Sequence, residues 1–452
     1  MVFLDFLKDI LSEPAFLMGL ISCFGLIALK SPAHKILTGT LGPILGYLML
    51  SAGAGVIVAN LDPLSQMIET GFHITGVVPN NEAVTSVAQE VLGVETMSIL
   101  VAGLIFNLLI ARFTKYKYIF LTGHHSFFMA CLLSAVLGAL NFKGFVLILI
   151  GGFILGAWSA ISPAIGQKYT LQVTDGDEIA MGHFGSLGYY LSAWIGSLVG
   201  SNSLSTEEIK VSEKWNFLRN TTISTAIIMV IFYIIAAIAA GSEFVTSLSG
   251  GQNFIIFAIL SGLKFAVGVA IVYAGVRMIL ADLIPAFEGV STKLIPNAVP
   301  AVDCAVFFPY APTAVIIGFA FSFLGGVIGM LILGAIGGVL IIPGMVPHFF
   351  CGATAGIFGN ATGGRKGAIF GSFVNGLLLS FLPALLLPVL GNLGFSNTTF
   401  GDVDFGVIGI ILGRLGQLAQ PIGIYGLIVV LILVLIIPSF TNKSVDAINN
   451  QQ

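Results

Sequence analysis

Charge is what this chain of 452 residues has least of: 18 Lys and Arg and 21 Asp and Glu, together 9% of the sequence. A soluble domain carries roughly a quarter. So few charges cannot solvate a globule of this size, which excludes a soluble enzyme, a nucleic-acid binder and a disordered scaffold. Cysteine is also scarce. Cys23, Cys131, Cys304 and Cys351 are scattered through apolar runs with no C-x-x-C pair, and read as small buried hydrophobes rather than disulfides or metal ligands. No G-x-x-x-x-G-K-[ST] phosphate loop occurs, and the longest polar stretch is 201–220. An ion gradient or a separate protein must therefore supply any driving energy. The opening MVFLDFLKDILSEP carries three acids and one Lys; that is the wrong charge for a cleaved signal peptide and suits an amphipathic lead-in to a first span.

What remains is apolar: 57% hydrophobic residues, 56 glycines and 17 prolines, with a mean hydropathy of +1.03. About 20 apolar residues cross a bilayer. Apolar runs place eleven spans near 14–29, 36–58, 96–111, 118–140, 145–166, 222–241, 254–276, 303–334, 336–358, 368–391 and 421–438. Two further segments, near 179–200 and 405–420, are broken by glycine and read as re-entrant hairpins. Basic residues cluster after the odd-numbered spans, while 60–95, 242–253 and 392–404 hold no Lys or Arg and only Lys143 dissents. The positive-inside rule puts the N-terminus outside and the C-terminus inside.

The chain also resembles itself. Leu121-Thr-Gly-His-His-Ser-Phe-Phe128 and Asn141-Phe-Lys-Gly144 find weak counterparts in Ile342-Pro-Gly-Met-Val-Pro-His-Phe-Phe350 and Gly364-Arg-Lys-Gly367. Gly182-His-Phe-Gly185 is matched likewise to Gly413-Arg-Leu-Gly416. Five spans per unit inverts the second unit relative to the first. The expected fold is an all-α polytopic membrane protein of about 11 helices in two inverted five-helix repeats plus two re-entrant hairpins. The boundaries are a first repeat over 1–200, a cytoplasmic amphipathic linker at 201–221, a second repeat over 222–420 and a last span with tail at 421–452. Repeats of this kind build substrate sites at the bilayer midplane from broken helices, which favours a transporter over a channel.

Ionisable groups at membrane depth are costly and point to function. His124 and His125 follow Gly123; adjacent helical residues diverge by about 100°, so one cavity is expected to take His124 alone. His183 lies between Gly182 and Gly185, and small residues let a ligand approach the backbone. Asp303 stands in an apolar run with no basic residue near it in sequence, beside a segment broken by Pro309 and Pro312. It can bind sugar hydroxyls, carry a proton or coordinate a cation. His348 reads as structural, and Asn81 and Glu82 as a polar loop tip or an outer cover to the site. Phe128 and Phe184, each following a candidate histidine, are candidates to stack on a ring.

Leu121-Thr-Gly-His124, Val173-Thr-Asp-Gly176, Gly182-His183, Gly275-Val-Arg-Met278, Phe287-Glu-Gly289, Ala301-Val-Asp-Cys-Ala305, Ala311-Pro312 and Ile341-Ile-Pro-Gly344 occur in one order. Together with Leu294-Ile-Pro296, this set resembles the ascorbate-type enzyme IIC of the bacterial phosphotransferase system over about 14–440. The resemblance implies a homodimeric inner-membrane sugar carrier with an elevator-like core. It implies no cofactor, and uptake coupled to phosphorylation by an enzyme IIB phosphocysteine that enzyme IIA recharges. It maps the substrate pocket onto His124, His183 and Asp303, with Asp303 or His183 as the candidate proton acceptor. The family has glutamine where this chain has Phe128 and Phe184, serine at Ala54 and a Thr-Tyr pair at Asn81 and Glu82. Each lost hydrogen-bond partner is worth about 1–3 kcal/mol, so the substrate expected is L-ascorbate or a related pentose, hexose or polyol. Two other readings compete: a proton- or sodium-coupled secondary transporter with Asp303 as its coupling carboxylate, and an intramembrane metalloenzyme. The latter lacks an H-E-x-x-H pattern.

Overall fold

The computed structural model describes residues 13–72, 76–79, 81–200, 203–209, 221–390 and 398–440. The expected N-terminal lead-in, most of the 201–221 linker and the tail beyond 440 lie outside the described residues. Among the described residues the α-helices are thirteen: α1 (Pro14–Ala28), α2 (Ala33–Gly71), α3 (Asn81–Phe113), α4 (Gly123–Ala139), α5 (Gly144–Val173), α6 (Ser186–Val199), α7 (Thr221–Ala240), α8 (Ser242–Leu248), α9 (Phe254–Gly289), α10 (Pro312–Ala335), α11 (Met345–Leu386), α12 (Val403–Ala419) and α13 (Ile422–Phe440). Among the described residues, six helical stretches are long and apolar enough to cross a membrane. The pair α7 and α8, bent by 115°, makes a seventh if read as one broken span.

Helix α11 shows why length alone undercounts crossings. Its 42 residues would reach about 63 Å as one rod, twice the hydrocarbon thickness. At Gly364 the backbone turns to φ 55°, ψ −147°, a conformation natural to glycine alone. The two arms double back on each other. Ser372 Oγ donates to the Gly352 carbonyl, and a Cβ at Gly359 would stand 2.3 Å from the Gly367 carbonyl oxygen. The expected spans 336–358 and 368–391 are largely these arms, although the helix starts only at Met345. Before it, residues 336–344 run mainly as turn and extended chain.

Packing divides the helices into two groups. Helices α1, α2 and α7 to α9 form one, and α3 to α6 with α10 to α13 form the other. The first group is held by glycine-on-glycine contact: Gly46 and Gly53 of α2 lie against Gly275 and Gly268 of α9, with no room for a Cβ on either side. Small residues admit this backbone approach where lipid gives helices no hydrophobic reason to associate.

The expectation of a purely helical chain is corrected at five short strands among the described residues: β1 (Val78–Pro79), β2 (Tyr118–Phe120), β3 (Ala180–Met181), β4 (Val299–Val302) and β5 (Thr398–Thr399). They pair in parallel as β2-β4-β3 and β1-β5. A bridge from Val77 to Ile341 adds a further extended segment. Backbone that is not helical must find partners at membrane depth, and these ladders supply them. Each strand leads within a few residues into a helix, so parallel pairing turns their exits the same way within each sheet. The expected span 118–140 is accordingly a strand followed by a helix that starts at Gly123. The segment 405–420, expected as a hairpin, is one continuous helix, α12, with its extended stretch upstream in β5.

Candidate functional site

The polar residues at these strand–helix junctions converge. His124 and His125 occupy the first turn of α4 after β2, and His183 lies between β3 and α6. Asp303 sits between β4 and a 3-10 helix, Cys304–Tyr310. Asn81 and Asp402 follow β1 and β5. All six line one cavity of about 470 Å³, walled on its far side by Tyr47, Leu50, Ser51 and Ala54 of α2. The cavity thus lies where the two helix groups meet.

Asp303 Oδ1 accepts the Ala305 N–H at 3.1 Å, capping its own 3-10 helix. Its Oδ2 stands 3.4 Å from His124 Nε2. A carboxylate only accepts, so Nε2 carries the proton and His124 Nδ1 takes the Tyr47 hydroxyl at 2.9 Å. Tyr47, His124 and Asp303 form one directed chain across the two helix groups. His183 is oriented differently. Its Nδ1 accepts the Gly185 N–H at 3.1 Å and the Tyr189 hydroxyl at 2.8 Å, which leaves Nε2–H as the free donor. Gly182 has to be glycine: its Cβ would stand 2.4 Å from the Ala301 carbonyl oxygen, and its N–H donates to Val302 at 2.7 Å.

Across the cavity, Asp402 accepts Asn81 Nδ2 at 3.3 Å and the Cys351 thiol at 3.3 Å, and Asn81 Oδ1 takes the Gly401 N–H at 2.9 Å. His125 Nδ1 lies 3.8 Å from Asp402 Oδ2. The His125 ring stacks on Phe405 at 5.8 Å and 5° and crowds His183 at 3.7 Å between ring centroids. Both adjacent histidines therefore reach the cavity, against the expectation from their 100° divergence. They sit on the end turn, where side chains lean back past the helix start.

Of the other expected site residues, Phe128 and Ala54 line the cavity. Phe184 does not. It is fully buried and stacks on Phe120 at 4.6 Å and 17°. The Glu82 side chain lies outside the described residues, and His348 is buried against Ser322 at 2.9 Å. Sequence reasoning missed Asp402 and Tyr47. Asp402 carried the same signal as Asp303, an acid in Phe400-Gly-Asp-Val-Asp-Phe405 with no basic residue within ten positions. Its neighbour Asp404 is structural, accepting from Ser186 Oγ, the Leu187 N–H and Trp158 Nε1 at 2.9–3.1 Å. Tyr47 gave no signal within an apolar helix.

His125, His183 and Asp402 place one ligand atom each within 4.8 Å of one another, as do His183, Asp303 and Cys304. The Gly185 N–H at His183 Nδ1 argues against a cation there, because metal at Nε2 would force the ring proton onto Nδ1, against that donor. The arrangement suits hydroxyl groups better: carboxylates to accept their protons, and Nε2–H to donate.

Broken helices framing a polar cavity in a charge-poor helical chain define a multi-pass membrane carrier for a small hydroxylated molecule. Residues 9–404 match the family described as the PTS system sugar-specific permease component, EIIC-GAT, and the chain belongs to that family. It is a sugar permease of the phosphotransferase system, working with EIIA and EIIB subunits. The chain is similar to the ascorbate-specific PTS system EIIC component of Mycoplasma pneumoniae, 27% identical in an alignment 451 residues long that takes in 86% of this chain and 67% of that protein.

Proposed function

We propose that the cavity between α2 and the strand–helix junctions is the substrate site, and that its substrate is L-ascorbate or a related sugar or polyol. His124, His183 and Asp303 bind hydroxyl groups, Asn81 and Ala54 border the site, and Phe128 packs on the carbon skeleton. Phe184, set behind Phe120, shapes the site from outside it, and Glu82 is placed beside Asn81 by sequence alone. The observation that carries this reading is the convergence of six polar junction residues on one cavity in a chain otherwise starved of charge.

Phosphoryl transfer from the enzyme IIB phosphocysteine is largely a matter of positioning. The attacking hydroxyl loses its proton to Asp303 or His183, and Nε2 of His183 can accept it only after its ring proton has moved. Asp303, already an acceptor, is the simpler base. The chain works as two inverted repeats over 1–200 and 222–420, with a linker at 201–221, a last span at 421–452 and about 11 crossings. The N-terminus is outside and the C-terminus inside, in the cytoplasmic membrane. Asn141 and Gly364, matched between the units, both have positive φ, 62° and 55°. Helices α1, α2 and α7 to α9 form the static, dimer-forming part of a homodimer and the other group moves elevator-fashion. The Tyr47–His124 bond would part in that motion.

The test is uptake into right-side-out vesicles loaded with phosphoenolpyruvate, the general phosphotransfer proteins, EIIA and EIIB. The expected product is phosphorylated, and uptake persists with an uncoupler present. Uncoupler-sensitive accumulation of unmodified substrate would instead show a proton-driven carrier.

A further inference from the structure

Asp303 precedes a segment that is poorly able to hold itself. The 3-10 helix Cys304–Tyr310 is 7 residues long and contains Pro309, whereas such helices rarely run past about four residues because their hydrogen bonds are poorly aligned. Its near end is tied to the His183 loop through the sheet: Ala180 pairs with Ala301 and Met181 with Val302, and the Gly182 N–H donates to Val302. Its far end is tied to the same loop. The Tyr310 hydroxyl donates to Asp177 Oδ2 at 2.6 Å, and Asp177 stands on the other side of β3 from His183. Immediately beyond, Glu207 caps α10. Its Oε1 accepts the Thr313 and Ala314 N–H groups at 3.0 and 3.1 Å, and its Oε2 the Thr313 hydroxyl at 2.8 Å. The segment bearing Glu207 is itself moored to α11, where Asn360 Oδ1 accepts the Thr206 N–H at 2.8 Å and Arg365 Nη2 donates to the Glu208 carbonyl at 2.9 Å. Asp177, Tyr310 and Glu207 all lie outside the cavity lining.

We propose that the Asp177–Tyr310 bond, backed by Glu207 on Thr313, is a latch that sets the place of the Asp303 carboxylate against His124 and His183, so that these three are positioning residues for turnover. The inference rests on the cavity being the substrate site. With the latch closed, the segment after Asp303 is held at both ends. With it open, the sheet holds only the near end, and a 3-10 helix that lacks one N–H donor at proline has little of its own to resist unwinding. A hydroxyl in the cavity can follow a carboxylate that drifts, so binding loses little. Proton removal and alignment for phosphoryl transfer need fixed geometry and lose more. The latch therefore acts on turnover more than on affinity, from residues that never touch the substrate.

The test compares the full chain as wild type, Tyr310→Phe, Asp177→Ala, the double variant of these two, and Asp177→Asn, which keeps an acceptor oxygen. Labelling of the purified protein with N-ethylmaleimide, located by peptide mass, follows Cys304 inside the latched segment and Cys131, buried in α4. Cys304 is expected to label about 10-fold faster in Tyr310→Phe and Asp177→Ala. In Asp177→Asn it keeps the wild-type rate, and Cys131 is unchanged throughout. Uptake by the loaded right-side-out vesicles uses L-ascorbate, xylitol and sorbitol as probes. Turnover is expected to fall about 10-fold in both single variants with KM within about 3-fold, and no further in the double variant. Unchanged Cys304 labelling overturns the latch, as does Cys131 labelling that rises in step with it. So do wild-type turnover in a variant whose Cys304 is exposed, and losses that add. Asp303→Asn, assayed alongside, separates the two readings. Wild-type uptake there removes the cavity as the substrate site, whereas its loss beside full turnover in the latch variants removes the latch alone. Should none of the probes be taken up, the labelling decides.

Discussion

His124 and His125 are neighbours in sequence, yet each is paired with an aspartate from a different part of the second half of the chain, and the two pairs differ in exposure. The His124 side chain is 37% exposed, while that of His125 is 5% exposed. The first pair opens to the cavity and is linked through Tyr47 to the other helix group. The second is walled in by Phe405, Asn81 and Cys351. An open pair can exchange its internal contact for a substrate hydroxyl. A closed pair is already desolvated and held, so it acts by shape and charge. One helix turn thus presents two kinds of recognition.

The largest effect is expected from the open pair. Asp303→Asn removes the acceptor and the candidate base together; a lost charged hydrogen bond is worth about 1.5–3 kcal/mol. Vesicle uptake should fall about 100-fold or more in a protein of unchanged thermal stability, and uptake at the wild-type rate would remove Asp303 from the site. Next comes Asp404→Leu, which strips one buried and two part-buried donors of their acceptor at about 1–3 kcal/mol each. Thermal unfolding should fall clearly, in contrast to Asp303→Asn. Tyr47→Phe should weaken apparent affinity about 5-fold, close to 1 kcal/mol, with little change in maximal rate. In a His124→Asn background the same change should cost almost nothing, whereas additive losses would separate Tyr47 from His124. Smallest for binding is Phe184→Leu, which should cost about 1 kcal/mol of stability and leave affinity within about 2-fold. Phe128→Leu, on the cavity wall, should do the reverse.

Much of this was legible because charge is so rare. Asp303 stood out in an apolar run, and His124 and His183 stood out beside glycines that let other backbone come close. The strands were not legible. Runs of two to four residues in an apolar context cannot be assigned to a period of 2 or of 3.6, so 118–140 read as one helix. The junctions were therefore invisible too, and with them the reason the polar residues converge. Asp402 was overlooked because 392–404, bare of Lys and Arg, was read as outer loop. In the fold its acid faces inward, held by Asn81 from 321 residues away. His125 was set aside by an argument that holds in mid-helix and fails at the first turn.

The most direct test of the account is an experimental structure of the chain with the compound that vesicles phosphorylate. The account predicts that compound in the cavity below Tyr47, its hydroxyls within about 3 Å of Asp303 and of His183 Nε2. Density for it elsewhere, with Asp303 still facing His124 and an empty cavity, would contradict the central claim.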